Sequence, residues 1–492
     1  MGELLWTALI ALAAWSAGKL LLRSRAPDTL GSAVALTLGL IVLAYAVLLL
    51  GLAGLLHVWL LQSVVLALAA AGLWFLWRRR PLRWPLLPPE RDLLLLGSLL
   101  ALALLLSLRK ALIPLSPLDL SHYHLRAPTL WLEWGRISWP FRDVVYHYPA
   151  GMELLYALGL AVGGVRSPQM IHLLTALVTL VGVMAFARQR WGGRAALWAG
   201  LLFWGIPEIG ALAGIALVDL SWSGAEVLAV LLFLHALDQP QSERRQSWAV
   251  IGGLVGWGAA VKYSALWTAL FLGLGIAAMT LASHREGRWR RLVDALWPYV
   301  GAALLVGGFW YLRNAMRFGN PFYPFLWGGW GLDADQARAW TAFLRQFGPP
   351  RSVANFLRLP WDLFLSRRIP AMGIGLYPYP LALIPLLAAT RHWDREATFL
   401  LAFSLIYLLV WYLTGTQQMR FILTPMILFA LLAARGAALL WQVERRDLLS
   451  LAVKVLLILS LIAGLGLQWQ HLSVQLMFVE TPTFPLPHDV PW

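Results

Sequence analysis

Apolar runs of close to twenty residues recur along this chain, and no other feature of the sequence restricts its fold as much. They fall near 4–22, 32–55, 57–77, 93–113, 168–187, 194–211, 220–237, 248–263, 265–281, 294–312, 376–390, 397–413, 420–440 and 448–467. An α-helix rises about 1.5 Å per residue, so roughly twenty apolar residues cross the ~30 Å hydrocarbon core of a bilayer. Inside hydrocarbon every backbone polar group needs an internal partner, which an unbroken helix supplies. The expected fold is therefore an all-α polytopic membrane protein, a transmembrane bundle of about fourteen helices. A soluble fold is excluded by composition. Of 492 residues, 60% are hydrophobic and 13% charged, too little polar surface to coat a globule of this length. Several runs are short for a full crossing, which implies local thinning or a cavity open to water. Leu4–Leu22 is longer than a signal-peptide core, and no small-residue cleavage site follows it, so it reads as a first spanning helix. No internal repeat is visible.

The net charge of +15, from 39 Lys and Arg against 24 Asp and Glu, reflects membrane topology rather than nucleic acid. No nucleic-acid-binding module is present, and basic loops collect on the cytoplasmic side and meet anionic membrane lipids. Basic clusters occur around Arg23, Arg78, Arg188, Arg244, Arg288, Arg391 and Arg445. All fall on one side if the runs alternate across the membrane and Gly151–Gly164 does not cross. That side is then cytoplasmic, and both termini and two long loops, 114–168 and 313–375, face outward. These loops are rich in Trp, Tyr, Pro and Gly, as suits helices half-sunk in the interface. With no cysteine in the chain, disulfides, thiol catalysis and Cys-ligated metals are excluded.

Ionisable residues beside apolar segments are costly in hydrocarbon and mark functional sites. Asp119 stands where the chain leaves the 93–113 run. It suits a general base as well as it suits the N-cap of an interfacial helix. His122 and His124 follow it, with Tyr123 between, as possible lining of a first-loop site. A carboxylate with a His-x-His pair can hold a divalent cation, but residues two apart face different ways on a helix. Hydrogen bonding is the preferred role, a metal the lesser one, and no cofactor is expected. Asp219, in the turn before the 220–237 run, can be a second acid, a metal ligand, an acceptor-positioning group or a helix cap. Glu153, in the non-crossing segment, can face the same space. Lys262, Arg313 and Arg420 sit at the outer ends of three apolar runs. Positive-inside topology leaves outer loops poor in cations, so three together favour one anion site, such as a phosphate at the membrane boundary, over unrelated snorkelling side chains.

Over about residues 93–440 these features resemble the GT-C superfamily of polytopic glycosyltransferases, which use lipid-phosphate-linked sugar donors. The bacterial enzymes similar to protein O-mannosyltransferases and to the aminoarabinose transferase of lipid A (glycosyltransferase family 39-like) are the nearest group. The resemblance rests on the order of Asp119, Tyr148-Pro149-Ala150-Gly151, Val165-Arg166-Ser167-Pro168, Arg190-Trp191-Gly192-Gly193-Arg194, Asp219, Lys262-Tyr263, Trp310-Tyr311-Leu312-Arg313-Asn314, Gly319-Asn320-Pro321 and Gln418-Met419-Arg420-Phe421. It implies a GT-C-type bundle with juxtamembrane helices in the first outer loop. It also implies Asp119 as catalytic base, Lys262, Arg313 and Arg420 as ligands of the donor phosphate, and Asp219 near the acceptor. The chain then divides into additional N-terminal helices (1–92), a GT-C-like membrane core (93–312, with first loop 114–168), an outer loop (313–375), and C-terminal helices with a short outer tail (376–492). Two departures stand out: Leu120 follows Asp119 where relatives often carry a second acid, and no large outer domain follows the membrane part.

The function implied is transfer of a sugar from a polyprenyl-phosphate donor to an acceptor hydroxyl on a lipid, glycan or protein. It takes place at the outer face of a bacterial-type cytoplasmic membrane, in one inverting displacement. Alternatives are a transporter or lipid-linked glycan flippase, an O-antigen polymerase or ligase, and a non-catalytic assembly subunit. A transporter tends to show repeats and mid-membrane ionisable residues, whereas the polar residues here gather at the outer boundary.

Overall fold

The computed structural model describes residues 2–22, 29–78, 91–113, 123–283, 287–330, 332–364, 368–369 and 379–442, with scattered positions between 451 and 466; among them there is no strand. The helices are α1 (Gly2–Leu22), α2 (Thr29–Leu52), α3 (Val58–Arg78), α4 (Arg91–Ala111), α5 (Tyr123–Trp134), α6 (Gly151–Gly163), α7 (Ser167–Trp191), α8 (Gly193–Trp204), α9 (Pro207–Leu212) and α10 (Asp219–Leu237). There follow α11 (Gln241–Val261), α12 (Ala265–Ser283), α13 (Arg288–Phe318), α14 (Leu332–Leu344), α15 (Val353–Leu357), α16 (Leu359–Phe364), α17 (Tyr379–Ala389), α18 (Arg395–Thr414) and α19 (Leu423–Gln442).

Nine of the described helices are long and apolar enough to cross a membrane: α1, α2, α3, α7, α10, α12, α13, α18, and α19 with the 3-10 turn Met419–Ile422 before it. The chain is thus a helical membrane protein. α4 and α11 are equally long but begin or end on charged residues. The run at 194–211 is not one helix. It breaks after Trp204 into α8 and α9, because Pro207 brings no N–H to an ongoing helix and instead opens a new one. α6 has 13 residues, about 20 Å long, and falls short of the ~30 Å hydrocarbon thickness. It is buried on nearly all sides.

Small residues let the long helices touch backbone to backbone, the usual way helices associate where solvent gives no hydrophobic drive. α11 makes the most extensive pairing in the molecule with α13. There a Cβ on Gly256 would sit 2.6 Å from the Ala303 carbonyl oxygen, and Gly307 packs back against Gly256. The other face of α13 presents Val293, Trp297, Leu304, Leu305, Leu312 and Met316 outward, a surface that suits lipid tails.

The two ends of the bundle differ. At one end, Arg190 pairs with Asp238 and, at 3.0 Å, with Glu396; Arg395 reaches Asp238 at 3.1 Å and Arg435 reaches Asp394 at 2.6 Å. At the other end of α10, Asp219 stands beneath a large cavity.

Candidate active site

Asp219 is the first residue of α10 and is fully buried. A carboxylate in a first turn meets the positive end of the helix dipole. The connection before it is held by three side chains from below. Gln169 Nε2 donates to Gly214 O at 3.1 Å, His172 Nδ1 lies 2.7 Å from Ile215 O, and the Tyr156 hydroxyl donates to Leu217 O. His172 Nε2 also accepts the Leu220 N–H at 3.1 Å, so the ring is neutral with its proton on Nδ1. These bonds fix where Asp219 sits.

Two cations reach it from other segments. Lys262 ends α11 in an extended conformation, and its Nζ donates to Asp219 Oδ1 at 2.6 Å. Arg420 lies in the 3-10 turn before α19, its Nη1 3.8 Å from Asp219 Oδ2 and its Nε donating to Gln418 Oε1 at 3.0 Å. The Lys262 ammonium also lies 4.0 Å from the centre of the Phe421 ring, a cation–π contact. Both cationic side chains stay partly open, 21% and 27% exposed, while that of Asp219 is 1% exposed. Two positive charges over one buried negative leave the trio with net charge +1 toward the open side.

That open side is a cavity of about 1270 Å³, with Lys262, Arg420, Tyr148, Tyr263, Trp340 and Phe421 in its wall. It is larger than a typical small-molecule site, roughly 300–1,000 Å³. α14 covers it from the second long loop, where Trp340 Nε1 donates to the Tyr148 hydroxyl at 2.5 Å. Tyr123, His124 and Glu153 line the same cavity. His124 Nδ1 lies 2.6 Å from Glu153 Oε1, both nearly fully buried, and the Tyr123 ring stands 6.5 Å from that of Tyr148.

Arg313 stands apart. It does not line the cavity. Its guanidinium lies 5.0 Å from the rings of both Trp139 and Trp310, and Nη2 donates to His147 O at 2.5 Å and to Tyr148 O at 3.3 Å. Asn314 Nδ2 donates to the same His147 carbonyl at 3.0 Å and to the Tyr263 hydroxyl at 2.9 Å. This Arg-Asn pair ties α13 to the first outer loop. Asp119 and His122 lie outside the described residues. Among the described residues, no group of three or more His, Asp or Glu is placed to hold a metal ion.

Burial shifts the groups outside the spanning helices. Lys262 is lowered to about 8, chiefly by desolvation and then by the Arg420 charge, against the opposing pull of Asp219. His147 is lowered to about 3 by burial and by Arg317 and Arg313, and so stays neutral. Burial raises Tyr148 and Tyr263 well above the ordinary phenol range, which keeps both as neutral hydrogen-bonding groups.

No family model matches the sequence, and no curated protein matches it. Three solved structures are similar. ArnT from Cupriavidus metallidurans bound to undecaprenyl phosphate is 17% identical, with a TM-score of 0.47 over 73% of this chain and 61% of that one. The same protein in the apo state is 18% identical, TM-score 0.45, over 72% and 60%. The Archaeoglobus fulgidus oligosaccharyltransferase in the apo form is 15% identical, TM-score 0.44, over 77% and 56%. The chain spans about three-fifths of the length of these structures.

Proposed function

We propose that this protein is a GT-C-type membrane glycosyltransferase. It moves a sugar from a polyprenyl-phosphate donor to an acceptor hydroxyl on the outer face of a bacterial-type cytoplasmic membrane. The observation that carries the proposal is the convergence of Lys262 and Arg420, from separate helix ends, on buried Asp219 at the wall of a cavity of about 1270 Å³ lined largely by aromatic and apolar side chains. A phosphate on a long apolar tail needs that combination: fixed cations for the head and an apolar surface for the tail.

In one displacement the acceptor oxygen attacks the anomeric carbon as the bond to the phosphate oxygen breaks. The leaving phosphate gains negative charge, and Lys262 and Arg420 stabilise it where it develops. Asp119, at the mouth of the first loop in sequence, takes the role of base by the family resemblance. Attack from the face opposite the leaving group inverts the anomeric configuration. The reaction as written needs no metal.

The proposal is tested by binding undecaprenyl phosphate, the lipid present in one of the similar structures, to purified protein. Each charge-assisted contact contributes about 1.5–3 kcal/mol, or roughly 10- to 100-fold in affinity. Lys262→Met and Arg420→Met are each expected to weaken binding by at least about tenfold. Unchanged binding in both variants overturns the phosphate site.

One observation favours transport instead. Glu226 is fully buried two turns along α10 from Asp219 and accepts a hydrogen bond from the Thr424 hydroxyl of α19. An ionisable group at that depth is a feature of translocation paths. Sugar transfer without net movement of the intact donor across a vesicle membrane separates the two functions.

A further inference from the structure

Two acidic residues line the cavity among the described residues, and their oxygens are differently engaged. Asp143 caps the 3-10 turn Val144–His147, where its side chain accepts the Val145 N–H at 3.2 Å. Glu153 is 3% exposed, with Oε1 held at 2.6 Å by His124 Nδ1 and with Oε2 buried and without a hydrogen-bond partner. An ionised carboxylate can only accept, so His124 donates from Nδ1. A buried oxygen left unpaired is costly, and a donor brought in by a ligand removes that cost. Asp219 is not equivalent. It lies behind the cavity wall, bound to Lys262 and Trp222 through Oδ1 and facing Arg420 with Oδ2.

The backbone sets Glu153 opposite the cations. α6 begins at Gly151, where a Cβ would come within 2.8 Å of the Ala260 carbonyl oxygen. That close approach seats the first turn of α6 against the end of α11, two residues before Lys262. Glu153 and Lys262 therefore border one cavity from adjoining elements. The charged and titratable groups facing Glu153 are Tyr123, Tyr156 and Lys262, with Asp219 close behind and His172 beyond His124.

We propose that Glu153 is an acceptor-binding carboxylate, whose Oε2 receives a hydroxyl of the acceptor beside the one that attacks, while His124 holds Oε1. This rests on the glycosyltransferase reading and adds to it the place of the acceptor. As the acceptor oxygen bonds to the anomeric carbon, its proton passes to the base of the proposed reaction, Asp119, and a neighbouring acceptor hydroxyl stays hydrogen-bonded to Glu153 Oε2. The bond from the anomeric carbon to the phosphate oxygen breaks, and its electron pair stays on the phosphate facing Lys262 and Arg420. His124 acts through Glu153, as a positioning residue that fixes which oxygen faces the acceptor.

The test uses the full chain in detergent or vesicles, with polyprenyl-phosphate sugars as donors and extracted envelope material as acceptor. Glu153→Gln keeps the shape and removes the charge. It is expected to lose about tenfold or more in transfer, chiefly through a raised acceptor KM, and to bind undecaprenyl phosphate within about twofold of wild type. His124→Gln, which retains a donor near Oε1, is expected to lose less and to raise the acceptor KM. Transfer by Glu153→Gln within about threefold of wild type, with an unchanged acceptor KM, overturns the assignment of Glu153 and leaves the glycosyltransferase reading standing. If the wild type transfers from no donor and does not bind undecaprenyl phosphate, the parent reading falls and this assignment falls with it.

Discussion

Asp219, Lys262 and Arg420 lie 43 and 201 positions apart along the chain, yet their charged ends lie within 4 Å of one carboxylate. Coulomb attraction alone does not make such a buried trio stable, since desolvation of the charges offsets much of the gain. What it gives is a fixed positive face toward the cavity. Lys262, lowered to about 8 by burial, ties that face to pH. The lysine is charged below about 8 and loses its proton as pH rises through that value, so affinity for a phosphate falls from there upward. Undecaprenyl phosphate binding measured between pH 6.5 and 9.5 should weaken over the upper half of that range, and Lys262→Arg, which stays charged, should flatten the curve. These three residues stood out in the sequence as ionisable groups beside apolar runs. Arg313 looked equivalent by the same logic. The loop carbonyls of His147 and Tyr148 that occupy it are 165 or more residues away, and no local pattern announces them. His172, and the link between His124 and Glu153, could be read only as lone polar residues in apolar or loop surroundings. Their partners are backbone groups and side chains of other elements.

Helices were legible where hydropathy is continuous and less so where backbone chemistry interrupts it. Most long runs correspond to helices, with ends that differ by up to about seven residues, and the run at 448–467 lies largely outside the described residues. The break between α8 and α9 was written in Pro207 but masked by apolar residues on both sides. The expectation that α6 does not cross came from counting basic loops rather than from its own sequence, and its 13 residues are short for a crossing. Helix contacts in turn depend on residues too small to leave a hydropathy signal. In the α11–α13 pairing, Gly256 faces Ala303 and Gly252 faces Tyr299, each with no room for a Cβ. Gly256→Val should force these backbones apart and cost about 1–3 kcal/mol, the usual penalty of overpacking. A thermal melt of the detergent-solubilised protein should then show a lower midpoint. Because α11 delivers Lys262, phosphate-lipid affinity should fall with it. An unchanged midpoint would mean that the two helices do not pack at these glycines.

At the scale of the molecule, the bundle has a cavity end, with Asp219, Lys262 and Arg420, and an ion-pair end, with Arg190, Asp238, Arg395, Glu396 and Arg435. The proposed topology, by the positive-inside rule, has the ion-pair end in the cytoplasm and the cavity outside. The absence of cysteine allows a direct test with single introduced thiols. Asp335→Cys, on the exposed face of α14, should react with an impermeant maleimide in intact cells, and Glu243→Cys, at the start of α11, only after permeabilisation. The reverse pattern would turn the molecule over and place the cavity in the cytoplasm. The central claim is that this cavity transfers a sugar from a lipid phosphate, and the most direct measurement is transfer itself. Radiolabelled polyprenyl-phosphate sugars are incubated with envelope extract and either wild-type protein or Asp119→Asn. Label should move to the acceptor with the wild type and fail to move with Asp119→Asn, although the variant still binds undecaprenyl phosphate. No transfer by folded wild-type protein from any donor contradicts the enzyme assignment, and equal transfer by both proteins contradicts Asp119 as the base.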